Sequence, residues 1–275
     1  MNYRHSYHAG NHTEVFKHSV LVLILQHLLK KPGPFTVLDT HAGAGLYDLT
    51  SDEARKTGEA LDGIGRIIDK DVPAASAYLD IIRRLNPTGL HCYPGSPAII
   101  QAFLRANDRL IACELRRDDV ALLRANTNGD RRVSVHCRNG YEAINAFLPP
   151  PTRRGLVFID PPFEEPDESE RLVSALNLGI QKWPTGIFLA WYPIKDRPVT
   201  SRLRAQFLSH NPPTLGCEFL RGPVDGLSLA GSGIVICNPP WQFEKELAAL
   251  CRELLLAFKV QEGMYTLDWW IRERG

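Results

Sequence analysis

The chain has 275 residues, a formal net charge of +1 and 44% hydrophobic residues, which suits one large or two small domains with a buried core. The near-neutral charge argues against strong non-specific binding to nucleic acid. No run reaches the roughly 18 apolar residues that a membrane span needs, and the N-terminus lacks the apolar core of a signal peptide, so we expect a cytoplasmic protein without membrane contact.

The first predicted element is a helix over residues 13–31, which Asn11 or Thr13 can cap and Pro32-Gly33-Pro34 ends. A strand over 36–40 follows it and leads into a turn that contains Gly43 and Gly45. Residues 50–90 contain two more helical patterns, around 52–69 and 73–85, and Ser96-Pro97 is expected to cap and start a further helix.

Short apolar runs then alternate with helical patterns to the end of the chain. The strand-like runs are 110–114, 133–137, 155–160, 186–191, 217–220 and 233–237. This alternation predicts an α/β fold with a seven-stranded, mostly parallel sheet covered on both faces. The last two strands lack a clear helix between them, which fits a hairpin at one edge of the sheet.

One spacing is unusual for a nucleotide-binding fold. The acidic residue that holds the ribose in such folds lies about 20 residues past the glycine turn, whereas Glu114 follows Gly45 by 69 residues. We interpret residues 50–90 as a small helical subdomain inserted into a single domain that spans residues 1–275. The alternative is a packing elaboration that never contacts the substrate.

The motif Asp160-Pro161-Pro162-Phe163 directly follows the strand-like run 155–160. Carboxylate and backbone carbonyl acceptors suit methylation of a base amino group, since they can localise a nitrogen lone pair that the ring delocalises. Proline stiffens the turn and leaves carbonyls free to accept, and an aromatic ring offers a stacking surface. The alternative is a proline-rich turn with a solvated aspartate.

A second segment, Asn238-Pro239-Pro240-Trp241, fits the same pattern. It follows the last predicted strand, which lies far from the glycine turn in any doubly wound strand order. Asp160 lies on the strand expected beside the first. We therefore favour Asp160 as the catalytic group and interpret Asn238 as a structural turn before a helix over 241–258.

Polar residues follow four successive predicted strands: the turn with Gly43 and Gly45, then Glu114, Asn139-Gly140 and Asp160. No GxxxxGK[ST] segment occurs, which excludes a P-loop. The set predicts an S-adenosylmethionine site, with the glycine turn by the methionine, a carboxylate on the ribose, an amide near the adenine and the catalytic group beside the sulfonium.

Other clusters are given ordinary interpretations. Cys113, Cys137 and Cys237 lie in apolar runs and are expected to be buried and reduced, because no CxxC pair occurs. The early histidines have spacings that match no compact zinc motif, so we expect no metal; they are His5, His8, His12 and His18. Paired arginines are expected at solvated loop and helix ends, and they occur at 83–84, 116–117, 131–132 and 153–154.

Several segments together resemble the RlmJ family of bacterial 23S rRNA adenine-N6 methyltransferases. They are Tyr3-Arg-His-Ser-Tyr-His-Ala-Gly-Asn-His12, Lys17-His18, Leu38-Asp-Thr-His-Ala-Gly-Ala-Gly45, Thr57-Gly58-Glu59, Tyr93-Pro-Gly-Ser-Pro97, Ile159-Asp-Pro-Pro-Phe163, Asn238-Pro-Pro-Trp241 and Asp268-Trp-Trp270. The resemblance covers essentially the whole chain and implies a Rossmann-like methyltransferase fold with an inserted helical subdomain.

The resemblance also implies roles for individual residues. The cofactor site would use His18, His41, Gly43, Ser96, Glu114, Asn139, Gly140 and Asp160. Asp160, with Pro161 and Phe163, would perform the catalysis, and Tyr3 would lie on the side of the site that receives the adenine, with Phe163 as a stacking surface. From their charge we also expect Arg4, Lys17 and part of the 50–90 insertion to bind the RNA substrate. The chain departs from the family pattern at Asn139, where aspartate is expected, and at Phe163, where tyrosine is common.

The sequence thus predicts a monomeric enzyme that methylates an adenine of 23S rRNA, either free or in an assembling large subunit, with S-adenosylmethionine as cofactor. A DNA adenine-N6 or protein glutamine methyltransferase is the alternative among enzymes. A non-catalytic RNA-binding factor for ribosome assembly on the same fold is the alternative outside enzymes, and an intact Asp160 and glycine turn favour the enzyme.

Overall fold

The computed structural model describes residues 4–127, 129–195, 199–207, 211–226 and 229–272. The strands are β1 (Thr36–Asp39), β2 (Leu46–Asp48), β3 (Cys92–Pro94), β4 (Arg109–Glu114), β5 (Val133–Cys137), β6 (Gly155–Ile159), β7 (Ile187–Ile194), β8 (Thr214–Leu220), β9 (Gly231–Cys237) and β10 (Met264–Ile271). The α-helices are α1 (His12–Leu29), α2 (Asp52–Thr57), α3 (Glu59–Asp62), α4 (Ser76–Leu85), α5 (Ser96–Phe103), α6 (Arg117–Asn126), α7 (Gly140–Phe147), α8 (Glu168–Lys182), α9 (Val199–Ala205) and α10 (Phe243–Phe258).

The main sheet has eight strands in the order β10-β8-β9-β7-β6-β1-β4-β5. Strands β5, β4, β1, β6 and β7 run parallel, and β9, β8 and β10 continue the sheet in antiparallel pairs. The α/β class with a mostly parallel sheet is confirmed. The count of seven strands was one too low, because β10 pairs with β8 and makes the β8–β9 hairpin internal rather than an edge.

The central strands are buried throughout because helices cover both faces of the sheet. Every residue of β1 and of β6 is buried, which explains why neither strand alternates between apolar and polar residues and why β6 is apolar throughout. Helix α1 packs across the sheet, and the ring of its Phe16 stacks on Phe219 of β8 at a centroid distance of 4.8 Å. Strand β5 is the outer strand, so its Cys137 is exposed rather than buried as predicted, while Cys113 and Cys237 are buried.

Asn11 sets the start of α1. Its side-chain oxygen accepts hydrogen bonds from the backbone N–H groups of Thr13 and Glu14, at 3.0 and 2.9 Å. Such caps satisfy amides that have no partner inside the helix. The helix ends at Leu29, two residues before the predicted end at 31.

Residues 50–90 fold into short helices and turns between β2 and β3, which form a two-stranded antiparallel sheet of their own. The first predicted pattern, 52–69, is broken into α2, α3 and a 3-10 turn because Gly58 takes a left-handed conformation with φ of 65°. The second pattern is α4, as predicted. Ile64 of the insertion donates its backbone N–H to Gly10 at 2.8 Å, which joins the insertion to the segment before α1. No helix of the described ranges is long and apolar enough to cross a bilayer.

Candidate active site

A cavity of about 700 Å³ opens where the carboxyl ends of β1, β4, β5 and β6 meet. Most residues that the sequence predicted for the site line this cavity: His18, His41, Gly43, Ser96, Glu114, Asn139, Gly140, Asp160, Pro161, Phe163 and Lys17. Arg4 lies instead beside a neighbouring surface depression, with its guanidinium 3.8 Å from Glu53. Tyr3 lies outside the described residues.

The turn after β1 is locked to the end of β4. The backbone N–H of Gly43 donates to Glu114 Oε2 at 2.9 Å, and Glu114 Oε1 accepts from the N–H groups of Leu115 and Arg116 at 2.7 and 2.8 Å. Three of the four lone-pair positions of this carboxylate are therefore occupied. The remaining position, on Oε2, is the one that can accept from a ligand.

Gly43 and Gly140 are glycines for steric reasons as well. Gly43 has φ of 59°, and a Cβ on it would lie 2.1 Å from the hydroxyl oxygen of Tyr47. A Cβ on Gly140 would lie 2.1 Å from the carbonyl oxygen of Thr40. The start of α7 thus packs directly on the backbone of the β1 turn, which brings two walls of the cavity together.

Asn139 caps α7 instead of presenting a free amide oxygen. Its Oδ1 accepts from the N–H groups of Tyr141 and Glu142, at 2.9 and 3.3 Å. The sequence led us to expect this oxygen to accept from the amino group of the cofactor. In the structure both of its lone pairs already serve the helix.

Asp39 contacts Ser96 of the cavity wall, and the sequence did not predict a role for it. It is fully buried at the end of β1, and Ser96 Oγ donates to its Oδ2 at 2.7 Å. Its Oδ1 has no hydrogen-bond partner among the described residues. Burial raises the pKa of Asp39 to about 7, although the Ser96 hydrogen bond opposes the rise. Helix α5 begins at Ser96, as predicted, but the predicted cap is wrong, because Gly95 occupies the N-cap position and no side chain caps the helix.

Asp160 is paired with a buried lysine from α1. Lys17 Nζ lies 2.5 Å from Asp160 Oδ2 and also contacts the Glu14 carboxylate. The side chains of Lys17 and Asp160 are 4% and 11% exposed. Lys17 Nζ also lies 4.9 Å from the ring centroid of Trp191, over the ring of that residue. The predicted contact of Lys17 with RNA stays a prediction, since two carboxylates already hold this ammonium.

Burial and the neighbouring charges together determine the protonation of Asp160 and Lys17. Burial raises the pKa of Asp160, the Lys17 ammonium opposes that rise and the Glu14 charge adds to it. The net direction is upward, which favours proton acceptance. The pKa of Lys17 is raised despite its burial, because two carboxylates stabilise its charge, so the lysine stays cationic.

A chain of buried polar groups continues from Glu14 into the core. Glu14 Oε2 lies 2.8 Å from His5 Nε2. His18 Nδ1 lies 2.9 Å from the hydroxyl of Tyr93, which in turn lies 2.9 Å from the hydroxyl of Tyr78. Burial lowers the pKa of His18 to about 3, so its ring is neutral at physiological pH. These contacts leave no local signal in the sequence, because the residues that make them lie up to 88 positions apart.

His41 is also held neutral. Burial, with a contribution from Arg171, lowers its pKa to about 3. Its Nδ1 lies 2.8 Å from Thr40 Oγ1, and its ring meets the ring of Tyr141 edge-on at 5.3 Å. As a neutral imidazole it can present one donor or acceptor to the cavity without a charge.

Phe163 forms an aromatic wall beside Asp160. It takes a left-handed backbone conformation with φ of 51°, which is uncommon for a bulky residue and often marks a functional position. Its ring meets Trp191 edge-on at 5.8 Å. Trp191 lies on β7 and is a second aromatic residue that the sequence analysis did not place in the site.

Asn238 lies at the other end of the strands from the cavity. Strand β9 runs antiparallel to β7, so its end lies beside the start of β7. Asn238 Nδ2 donates to the carbonyl oxygens of Pro184 and Gly186, at 2.7 and 2.8 Å. It therefore stabilises the turn before β7, in agreement with its interpretation as a structural turn.

Comparison with known proteins gives a consistent result. The family described as "RsmJ: Ribosomal RNA large subunit methyltransferase D, RlmJ" matches residues 32–271. Two proteins named ribosomal RNA large subunit methyltransferase J are each 40% identical to the chain: the one from Haemophilus influenzae covers 98% of both sequences, and the one from Escherichia coli covers 90% of both. A crystal structure of a Legionella pneumophila protein superimposes with a TM-score of 0.89 at 30% identity, covering 95% of this chain and 98% of that one.

Proposed function

The chain belongs to the RlmJ family of ribosomal RNA large subunit methyltransferases, and from this premise we propose that it methylates the N6 amino group of an adenine in 23S rRNA. The observation that carries the proposal is the position of Asp160-Pro161-Pro162-Phe163 in the wall of the cavity that contains the β1 glycine turn. We infer that free rRNA or an assembling large subunit is the substrate, that the protein acts in the cytoplasm as a monomer, and that no metal takes part.

The residues around the β1 turn fit S-adenosylmethionine, which supplies an electrophilic methyl group on its sulfonium. The orphaned, buried Asp39 Oδ1 offers an acceptor for an N–H group of the cofactor. Glu114 keeps one lone pair on Oε2 for a ribose hydroxyl. The left-handed turn at Gly43 leaves the backbone open to close approach. Beside these, we propose that His18, His41, Ser96 and Gly140 line the cofactor.

Asp160 acts on the base. Its carboxylate and the Pro161 carbonyl accept the two N–H groups of adenine N6, which localises the nitrogen lone pair. Methylation leaves positive charge on N6, and a fixed carboxylate stabilises that charge in a pocket with little water. Because burial raises the pKa of Asp160, its carboxylate can also take the proton that N6 then releases.

Neighbouring residues hold the base and the charge in place. Phe163 and Trp191 supply an aromatic surface against which a base can stack. Lys17 keeps Asp160 in its charged form and fixes its Oδ2. Tyr3 and Arg4, at the start of the chain, remain proposed contacts to the RNA.

Labelled S-adenosylmethionine, incubated with 23S rRNA from cells that lack the protein, tests the proposal when the modified nucleotide is mapped. Asp160→Asn keeps the shape and one acceptor but loses the charge, so we expect kcat to fall on the order of 10²–10³. Asn238→Ala is the control, since it removes the other segment of the same pattern and should leave kcat unchanged.

Three outcomes would contradict the proposal. Label in duplex DNA or in a protein glutamine, rather than in rRNA, would identify one of the alternative methyltransferases. RNA binding without any methyl transfer would identify a non-catalytic assembly factor. A rate close to that of the wild type in Asp160→Asn would remove Asp160 from the chemistry.

A further inference from the structure

The edge of the sheet opposite the cavity is strongly basic. We use "back edge" for the four turns that lead into β1, β4, β5 and β6, which are residues 30–34, 105–109, 129–132 and 149–154. These turns carry eight lysines and arginines and two aspartates, in a chain whose net charge is only +1. The rest of the sequence, taken together, therefore has a negative net charge.

Some of the back-edge cations stabilise the turns themselves. Arg105 donates to the carbonyl oxygens of Lys31 and Gly33, at 3.0 and 2.9 Å, and Arg154 donates to Gly33 at 2.5 Å. The two aspartates of the back edge, Asp108 and Asp130, pair internally with arginines. The turns are thus held against one another, and their acidic charge is already neutralised.

The remaining cations face solvent. Lys31, Arg131 and Arg153 are exposed, and their side chains make no hydrogen bond or ion pair within the described ranges. Arg109 is exposed as well and contacts only nearby carbonyl oxygens. A row of exposed cations on rigid turns is suited to a polyanion, because its geometry exists before the partner binds.

An exposed aromatic residue lies beside the back edge. Trp241 is 79% exposed, at the end of β9 and just before α10. Helix α10 adjoins the back edge, because its Glu246 carboxylate lies 3.6 Å from Lys30 Nζ. Proteins that bind single-stranded nucleic acid combine exposed aromatic rings with nearby cations. The ring stacks on an unpaired base, and the cations contact the phosphate backbone of the nucleic acid.

The cavity, in contrast, repels phosphate. Eight acidic residues line it, against four lysines and arginines, and Lys17 among these is held by two carboxylates. Strands of four to six residues separate the cavity from the back edge, which is roughly 15 Å at about 3.3 Å per residue. RNA long enough to span that distance can be attracted at one edge and modified at the other.

We propose that the back edge, with Trp241, is a second RNA-binding surface that anchors the substrate outside the cavity. This inference rests on the proposed function, because it takes the polyanion to be the rRNA that is methylated. The cations contact phosphates without regard to sequence, and Trp241 stacks on an unpaired base. The surface makes affinity depend on the length of the RNA, whereas the cavity selects the nucleotide.

The test compares two triple variants that lose the same charge. One carries Lys31→Gln, Arg131→Gln and Arg153→Gln. The control carries Arg124→Gln, Arg252→Gln and Lys259→Gln, which are exposed residues on or just after α6 and α10. Each set has one lysine, two arginines and one residue with a left-handed backbone, Arg153 or Lys259, so the two variants are matched in residue type and in charge lost.

Binding of in vitro transcribed 23S rRNA is measured without cofactor over a range of salt concentrations. The slope of log K against log salt should become shallower by about 2–3 in the back-edge variant, since each lost phosphate contact contributes 0.7–0.9. The control variant should keep the wild-type slope, and kcat at saturating RNA should be unchanged in both. A short hairpin that fills only the cavity should bind all three proteins equally.

Trp241→Ala separates stacking from charge. It should weaken 23S rRNA binding about tenfold without changing the salt slope. Equal slopes in the two triple variants, with methyl transfer intact, would overturn the anchor and leave the proposed function standing. If the wild-type protein transferred no methyl group but the back-edge variant still had a shallower slope, the proposed function would be overturned and the RNA-binding surface would stand.

Discussion

At the scale of single residues, the main feature of the site is that its buried carboxylates outnumber the cations that contact them. Glu14 and Asp39 are buried and Asp160 is largely buried, and Lys17 is the cation that contacts Glu14 and Asp160. Removal of one partner from a buried ion pair costs far more than the pair contributes. Asp39 contacts no cation among the described residues, and burial without such a partner raises its pKa to about 7.

Asp39 should make the stability of the protein depend on pH. Its pKa is about 7 in the folded protein against 3.8 for an ordinary aspartate. Between those values the folded state keeps a proton that the unfolded state releases, so this contribution to stability is complete below pH 4 and is lost as pH rises to about 7. The free energy of unfolding of Asp39→Asn should therefore rise by roughly 4 kcal/mol relative to the wild type across this window.

Urea unfolding of both proteins from pH 4 to pH 8 measures this difference. Asp48→Asn is the control, because Asp48 is exposed and hydrogen bonds from Thr50 lower its pKa. Its contribution to stability changes only below about pH 4, so the difference between Asp48→Asn and the wild type should stay nearly constant from pH 4 to pH 8. A stability difference between Asp39→Asn and the wild type that does not change with pH would show that Asp39 is ionised in the folded protein.

At the scale of elements, the contact between α7 and the β1 turn holds two walls of the cavity together. Gly140→Ala would place a Cβ 2.1 Å from the carbonyl oxygen of Thr40, and backbone atoms can relieve such a clash only by moving α7 away. Overpacking of this kind costs about 1–3 kcal/mol. We expect the variant to lose stability of that size and to bind the cofactor more weakly, since both Thr40 and Asn139 line the cavity.

Thermal unfolding and cofactor titration measure the two effects of Gly140→Ala. Gly222→Ala is a matched control, because nothing lies within 4 Å of its added Cβ. Wild-type behaviour of Gly140→Ala in both measurements would mean that the β1 turn and α7 move apart freely.

Elements with a strong local pattern were predicted well from the sequence. All seven predicted strands of the main sheet are present, and a rule of α/β folds, that ligands bind at the carboxyl ends of strands, placed Gly43, Glu114 and Asp160 together. Strand β10 was missed although its residues alternate between exposed and half-buried. Strands β2 and β3 have three residues each, which is too short for a periodic signal.

The features that the sequence could not indicate depend on contacts between distant elements. Lys17 meets Asp160 only because α1 packs across the sheet to the end of β6. Asn139 and Gly140 were selected as cofactor residues from their place after β5, but that place also makes them a helix cap and a packing contact. A motif gives the position of such residues, and only the packed structure gives their partners.

At the scale of the whole molecule, charge is divided between two edges of one sheet. The cavity edge is acidic and the back edge is basic. The net charge of the protein is therefore close to zero although positive and negative charge are separated across the sheet. A polyanionic substrate will therefore meet the protein in a preferred orientation, with electrostatic steering that weakens as salt rises.

Under the proposed function, the depth of Asp160 and Phe163 sets the form in which the target adenine can react. The Asp160 side chain is only 11% exposed, and Phe163 is partly buried in the cavity wall beside it. The N6 group of a base inside a duplex cannot reach Asp160, so the target must be unpaired or flipped out of its stack. A hairpin whose target adenine is locked in a stable pair must first be opened, at a cost of a few kcal/mol.

We therefore expect the methylation rate of the locked hairpin to fall on the order of 10–10³-fold, because each 1.4 kcal/mol of opening costs a factor of ten. The control hairpin has the same length and composition, but its stable pairs are moved so that the target adenine lies in the loop. Single-turnover rates with saturating enzyme remove differences in binding between the two RNAs. Equal rates would mean that opening of the pair adds no barrier to methylation, and they would contradict this prediction.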